Sequence, residues 1–135
     1  MNTRYMLDTN AIGLIVTKRS GPVADRHSKI PPQDICVSAI SFGEIQFGLA
    51  KRPEATRLAG VTADFFAEVD VLQWSAQEAR LYGHLRAHME RQAKSLGALD
   101  MLIAAHALSV GATLVTSDRA FRLVPDLRIE DWLEG

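Results

Sequence analysis

Leu99-Asp-Met-Leu-Ile-Ala-Ala-His-Ala-Leu-Ser-Val110, then Gly111, then Thr113-Leu-Val-Thr-Ser-Asp118, is the stretch that decides the fold. From 99 to 110 only Asp100, His106 and Ser109 are polar, so this helix is apolar nearly all round and belongs in the middle of a domain. Gly111 ends it. Residues 113–115 read as a central strand, with a carboxylate, Asp118, just beyond it. An open α/β sheet builds its sites at strand ends and helix starts, and this segment supplies one acid of each kind.

The same arrangement recurs toward the N-terminus. Residues 4–7 read as a short buried strand ending at Asp8, and Asp8-Thr9-Asn10 suits a turn or helix cap before a brief helix over 11–17. Residues 18–20 with Gly21-Pro22 close that helix, and Pro31-Pro32 precedes a second strand over 35–37. Ser41-Phe-Gly-Glu44 has the form of a capping box and predicts a helix carrying Phe42, Ile45 and Leu49 on one face. Pro53 starts the next helix, which runs to about 68. A third strand follows over 69–72, and Ser75-Ala-Gln-Glu78 is a second capping box opening a helix to about 94. Residues 127–129 form a final edge strand. Strands alternating with helices predict a three-layer α/β fold, a mostly parallel sheet flanked by helices, with 1–135 as a single domain.

Composition sets limits. Fifteen basic against 16 acidic residues give a net charge of −1, which excludes nucleic-acid binding by bulk charge alone. The single cysteine, Cys36, lies in an apolar run and reads as a buried thiol in a reducing, cytoplasmic setting. No apolar stretch approaches a membrane span, and the short polar N-terminus does not read as a signal peptide.

Asp8, Glu44, Asp100 and Asp118 therefore all fall where one crevice would collect them. Each also has an ordinary reading: Asp8 as a helix cap, Glu44 in a capping box, Asp100 on a helix dipole, Asp118 in a turn. Together they would repel one another in a low-dielectric cleft unless a cation sat among them. All-oxygen ligands select a hard divalent ion, Mg²⁺ or Mn²⁺.

The chain resembles the PIN-domain ribonucleases, and among them the VapC toxins of toxin–antitoxin pairs. Met-Leu-Asp-Thr-Asn at 6–10, Ser-Ala-Ile-Ser-Phe-Gly-Glu-Ile-Gln-Phe-Gly at 38–48, Leu-Asp-Met-Leu-Ile-Ala-Ala-His-Ala at 99–107 and Thr-Leu-Val-Thr-Ser-Asp at 113–118 carry the likeness, with Phe121, Val124-Pro125 and Glu130-Asp131-Trp132 beyond. The resemblance implies that the four acids form a catalytic metal site hydrolysing RNA phosphodiesters. It also implies a VapB-like antitoxin, a homodimer, and DNA contact made by the antitoxin rather than by this chain. The family commonly has Asn where Ser117 stands; the hydroxyl still donates a hydrogen bond to carboxylate or phosphate. Arg119, chained to Asp118, is the first candidate for substrate phosphate, and Arg86 the second. Phe42, Phe47, Phe65 and Phe66 fit a helical layer that fills the core or forms the antitoxin's groove.

His106 reads as a core histidine rather than a catalyst, and His84 with His88 as surface polarity. The alternative function is a catalytically weak PIN domain that binds protein or RNA, against which four intact acids argue. A receiver or phosphatase fold would want a second Asp near Asp8 and a late Lys, where this chain has Thr9-Asn10 and Arg119.

Overall fold

The computed structural model describes residues 4–18 and 20–134. The first helix ends at Thr17 with Lys18 as its C-cap, within the stop expected at 18–20; Arg19 of that stop, and residues 1–3 on which the N-terminal expectation rests, lie outside the described residues. The strands are β1 (Tyr5–Leu7), β2 (Ile35–Ser38), β3 (Asp70–Leu72), β4 (Thr113–Val115) and β5 (Ile129–Glu130). Among them run α1 (Thr9–Thr17), α2 (Pro22–Ser28), α3 (Ala39–Ala50), α4 (Thr56–Glu68), α5 (Ala76–Arg91) and α6 (Ala98–Val110).

The sheet order is β3-β2-β1-β4-β5, and every pairing is parallel. The chain winds outward from β1 to β3, then α5 and α6 carry it back to the other side of β1. The switch point therefore lies between β1 and β4, where such sheets open a crevice beyond their carboxyl ends.

Alternation along the strands builds two cores. Met6, Cys36 and Leu114 face α5 and α6, meeting Leu85, Met89, Met101 and Ile103. Leu7, Ile35, Val37 and Val115 face the other way, onto Ile12, Val16, Val23, Phe65 and Trp132. Helix α3 straddles the layers, with Ile40 packed on the first core and Ile45 on the second. In α6, Met101 and the stretch Ile103 to Ala107 are buried, which matches its apolar sequence. No helix among the described residues is long and apolar enough to cross a membrane.

Several boundaries differ from expectation for local reasons. Helix α1 starts at Thr9 because Asp8 itself caps it. Residues 22–28, to which the sequence pattern assigns no element, form α2; Pro22 sits at its first position and Val23 is its buried residue. Helix α4 starts at Thr56, Pro53 lying in the preceding turn. The last strand is Ile129–Glu130 because Leu114 and Val115 pair there. Phe65 is buried, Phe42 and Phe66 stack edge to face at 4.8 Å, and Phe47 stands 64% exposed under Lys51.

Candidate active site

Asp8 continues β1 toward β4, its amide donating to the Val115 carbonyl at 3.1 Å. Its carboxylate accepts from the Ala11 amide at 2.8 Å, so it caps α1 while only 5% exposed. Burial pushes its pKa up, the Thr116 hydroxyl and Ala11 amide pull it down, and the charges of Asp100 and Asp118 push it up again. Asp118 heads the 3-10 turn Arg119–Leu123 and accepts from the Ala120 amide. Its own amide donates to the Thr116 hydroxyl at 3.0 Å. One buried threonine thus serves both strand-end acids.

Asp100 lies in the first turn of α6, half-buried. Burial raises its pKa, and Asp118 and Glu44 raise it further. Glu44 accepts from the Thr9 hydroxyl at 2.7 Å, which ties α3 to the start of α1. The expected Ser41–Glu44 capping box does not form. Ser38 at the end of β2 already caps α3 through the Ile40 amide, placing Ser41 inside the first turn with its buried hydroxyl unpaired among the described residues. Glu44 is thereby released from capping and joins the acids.

Asp100 is therefore within electrostatic reach of Glu44, Asp118 and Asp8, and Asp8 within reach of Asp118. The ion pairs found among the described residues, Arg4–Asp70, Arg26–Glu130 and Arg86–Glu90, include none of these four acids. Asp8, Thr116 and Asp118 line a cavity of about 280 Å³ walled by Leu14, Trp132 and Leu133. Thr9 and Glu44 line a shallower groove of about 610 Å³ with Ile40, Phe47 and Leu99. Asp8 and Thr9, neighbours in the chain, line different depressions.

Among the described residues no three acid, His or Cys side chains converge closely enough to enclose an ion. An open set of carboxylates fits a hard divalent cation that keeps several waters and takes only one or two carboxylates directly. The uncompensated charge and all-oxygen donors agree with a hard cation.

Arg119 is exposed beside Asp118. The Ser117 hydroxyl donates to Asp131 at 2.6 Å, fastening the β4 loop to the C-terminal segment. Arg86 bonds Glu90 and Tyr82 and lines a separate cavity that none of the four acids touches. Thr9, Thr116 and Asp131 gain roles here that sequence reading missed. Only Thr116 carried a local signal, a hydroxyl two residues before an acid.

The PIN-domain family profile matches residues 5–127. Ribonuclease VapC2 of Haemophilus influenzae is 33% identical over 96% of this chain and 98% of its own length. A tRNA(fMet)-specific endonuclease VapC of Shigella flexneri is also 33% identical, over 96% of this chain and 98% of its own. Among solved structures, DNA-bound VapBC from Salmonella typhimurium superposes with a TM-score of 0.89 at 31% identity, covering 97% of this chain and 99% of that one.

Proposed function

This chain belongs to the PIN-domain family, and we propose that it is a VapC-type endoribonuclease toxin whose four acids use a divalent cation to hydrolyse RNA phosphodiesters. The observation that carries this reading is the cluster itself: acids from four elements at the sheet's switch point, in no ion pair with a protein cation among the described residues.

Asp8, Glu44, Asp100 and Asp118 would hold the ion, which is Mg²⁺ with Mn²⁺ as a substitute. When bound, it supplies positive charge to the phosphate oxygens and lowers the pKa of the attacking water. The protein's own work is positional. Thr116 fixes Asp8 and the Asp118 loop together, and Thr9 holds Glu44 toward them. The exposed Arg119 offers a guanidinium for substrate phosphate. Ser117 sets the loop through Asp131, and Arg86 is the weaker substrate contact because Glu90 and Tyr82 already engage it.

Residues 1–135 act as a single PIN domain in the cytoplasm, as a homodimer. A VapB-like antitoxin covers the groove of Ile40, Phe47 and Leu99 beside Glu44, since exposed apolar side chains rimmed by polar ones mark a partner surface. The related Salmonella complex is DNA-bound; for the present chain we assign DNA contact to the antitoxin, because its net charge of −1 gives no basic footprint.

The test is cleavage of total cellular RNA by purified protein with Mg²⁺, with EDTA, and by Asp8→Asn. Discrete fragments produced only with metal and intact Asp8 are expected. Folded, antitoxin-free protein that cleaves nothing across a broad RNA set would overturn the enzyme in favour of a binding module.

A further inference from the structure

The core holds one polar network that this mechanism does not use. His106 on α6 is 1% exposed, and its Nδ1 lies 2.7 Å from the Ser38 hydroxyl. Ser38 is fully buried, ends β2 and caps α3, its oxygen accepting the Ile40 amide at 3.0 Å. A hydroxyl that already accepts has one proton left to give. Donation to Nδ1 satisfies it and puts the imidazole proton on Nε2, which has no polar partner among the described residues. The opposite assignment leaves two groups unmet, the hydroxyl proton and the Nε2 lone pair. The neutral Nε2–H form is therefore favoured, and it agrees with burial lowering the His106 pKa against the pull of Glu78.

The ring is held on its other side by Trp74, edge on at 5.6 Å and 86°. A leucine would fill this space without the desolvation cost of an imidazole. What the imidazole adds is a directional bond to Ser38. That bond joins the start of α3 to the middle of α6. Glu44 lies six residues along α3 from Ser38, and Asp100 six residues along α6 from His106, roughly 9 Å of helix rise in each case.

On the metal-binding reading given above, we propose that His106 is a positioning residue: through Ser38 it sets where α3 presents Glu44 relative to Asp100. It touches neither substrate nor cation. Its effect on the site runs through Glu44, as partners behind the ligands of a metal site act through those ligands.

The test is Mn²⁺ affinity, read by electron paramagnetic resonance, for wild type, His106→Leu, Glu44→Gln and the double variant, with thermal melts alongside. His106→Leu should melt cooperatively and bind Mn²⁺ about tenfold more weakly. His106→Asn, whose amide reaches the Nδ1 position, should recover part of that loss. In the Glu44→Gln background the His106 substitution should cost nothing further, a result that general loosening of the core would not give. Wild-type affinity in His106→Leu, or an equal loss in both backgrounds, overturns the proposal. If His106→Leu fails to fold, Ser38→Gly removes the same bond while keeping a tolerable helix cap, and the same outcomes apply. Wild-type protein that binds no Mn²⁺ would overturn the metal reading itself, a failure separable from the other two.

Discussion

Ser41–Glu44 and Ser75–Glu78 have the same Ser-x-x-Glu spacing near helix starts, yet their glutamates end in opposite circumstances. Glu78 forms a full capping box, accepting from the Ser75 amide at 2.8 Å and its hydroxyl at 2.6 Å, and from Ser109 at 2.9 Å. Those bonds, Ser75's hydroxyl foremost, lower its pKa to about 2. Among the described residues Glu44 receives a single side-chain bond, from Thr9, and adds its charge to a cluster that raises the pKa of Asp100. One glutamate is a satisfied structural anion; the other is left with unspent charge. What separates them is what lies upstream of the tetrad. Ser38 closes β2 directly into α3 and takes the capping role, whereas α5 has no earlier cap than Ser75.

Exchanging the two fates is the most severe test of the contrast. Glu44→Gln should remove cleavage by at least the roughly 100-fold that losing even an outer partner of a metal site can cost. Its melting temperature should stay near wild type. Glu78→Gln should do the reverse, keeping cleavage and losing about 1–3 kcal/mol of stability in urea melts, because donors to a buried anion are disrupted. Equal losses of activity in both variants would erase the distinction.

Next in size is the substrate contact. Arg119→Ala should lower kcat/KM about tenfold, the loss of one charge-assisted bond at an exposed position, with Mn²⁺ affinity unchanged. Arg86→Ala should lower it less, its guanidinium being tied to Glu90 and Tyr82.

Asp8 combines both kinds of duty, and two substitutions separate them. Asn caps a helix as well as Asp, while Ala loses about 1 kcal/mol. Both variants should be inactive, but in metal-free melts at neutral pH only Asp8→Ala should be destabilised by the lost cap. An acid whose folded pKa is raised gives stability below its unfolded pKa and loses it as pH rises through the folded one. Ionised Asp8 therefore opposes folding at neutral pH, and Asp8→Asn should melt above wild type there. That gain should vanish in acid.

Glu78 supplies the opposite and smallest sign. Its depressed pKa means its stabilisation is present above the unfolded value of 4.5 and lost as pH falls toward about 2. Melts of wild type and Glu78→Gln should converge over that acid interval. A constant gap between them would place the stabilisation elsewhere.

How much of this was legible follows from where each signal lies. The parallel order of alternating elements, the buried α6 and the cap of α5 rest on local pattern, and they were readable. Helix α2 offers seven residues with one buried, too few for a periodicity to show. The placement of the four acids was readable because strand ends and helix starts carry local marks. The release of Glu44 was not, since Ser38 and Ser41 are equally good caps until β2 fixes its last residue. Thr9 and Asp131 act across the fold, Thr9 meeting Glu44 from 35 positions away and Asp131 meeting Ser117 from 14, and no local rule reaches that far.

The most direct measurement is an anomalous difference map from crystals of the metal-free protein soaked in Mn²⁺. A peak bounded by Asp8, Glu44, Asp100 and Asp118 is expected, and none beside Glu78. A cluster left empty at saturating Mn²⁺, or a peak placed away from those acids, would contradict it.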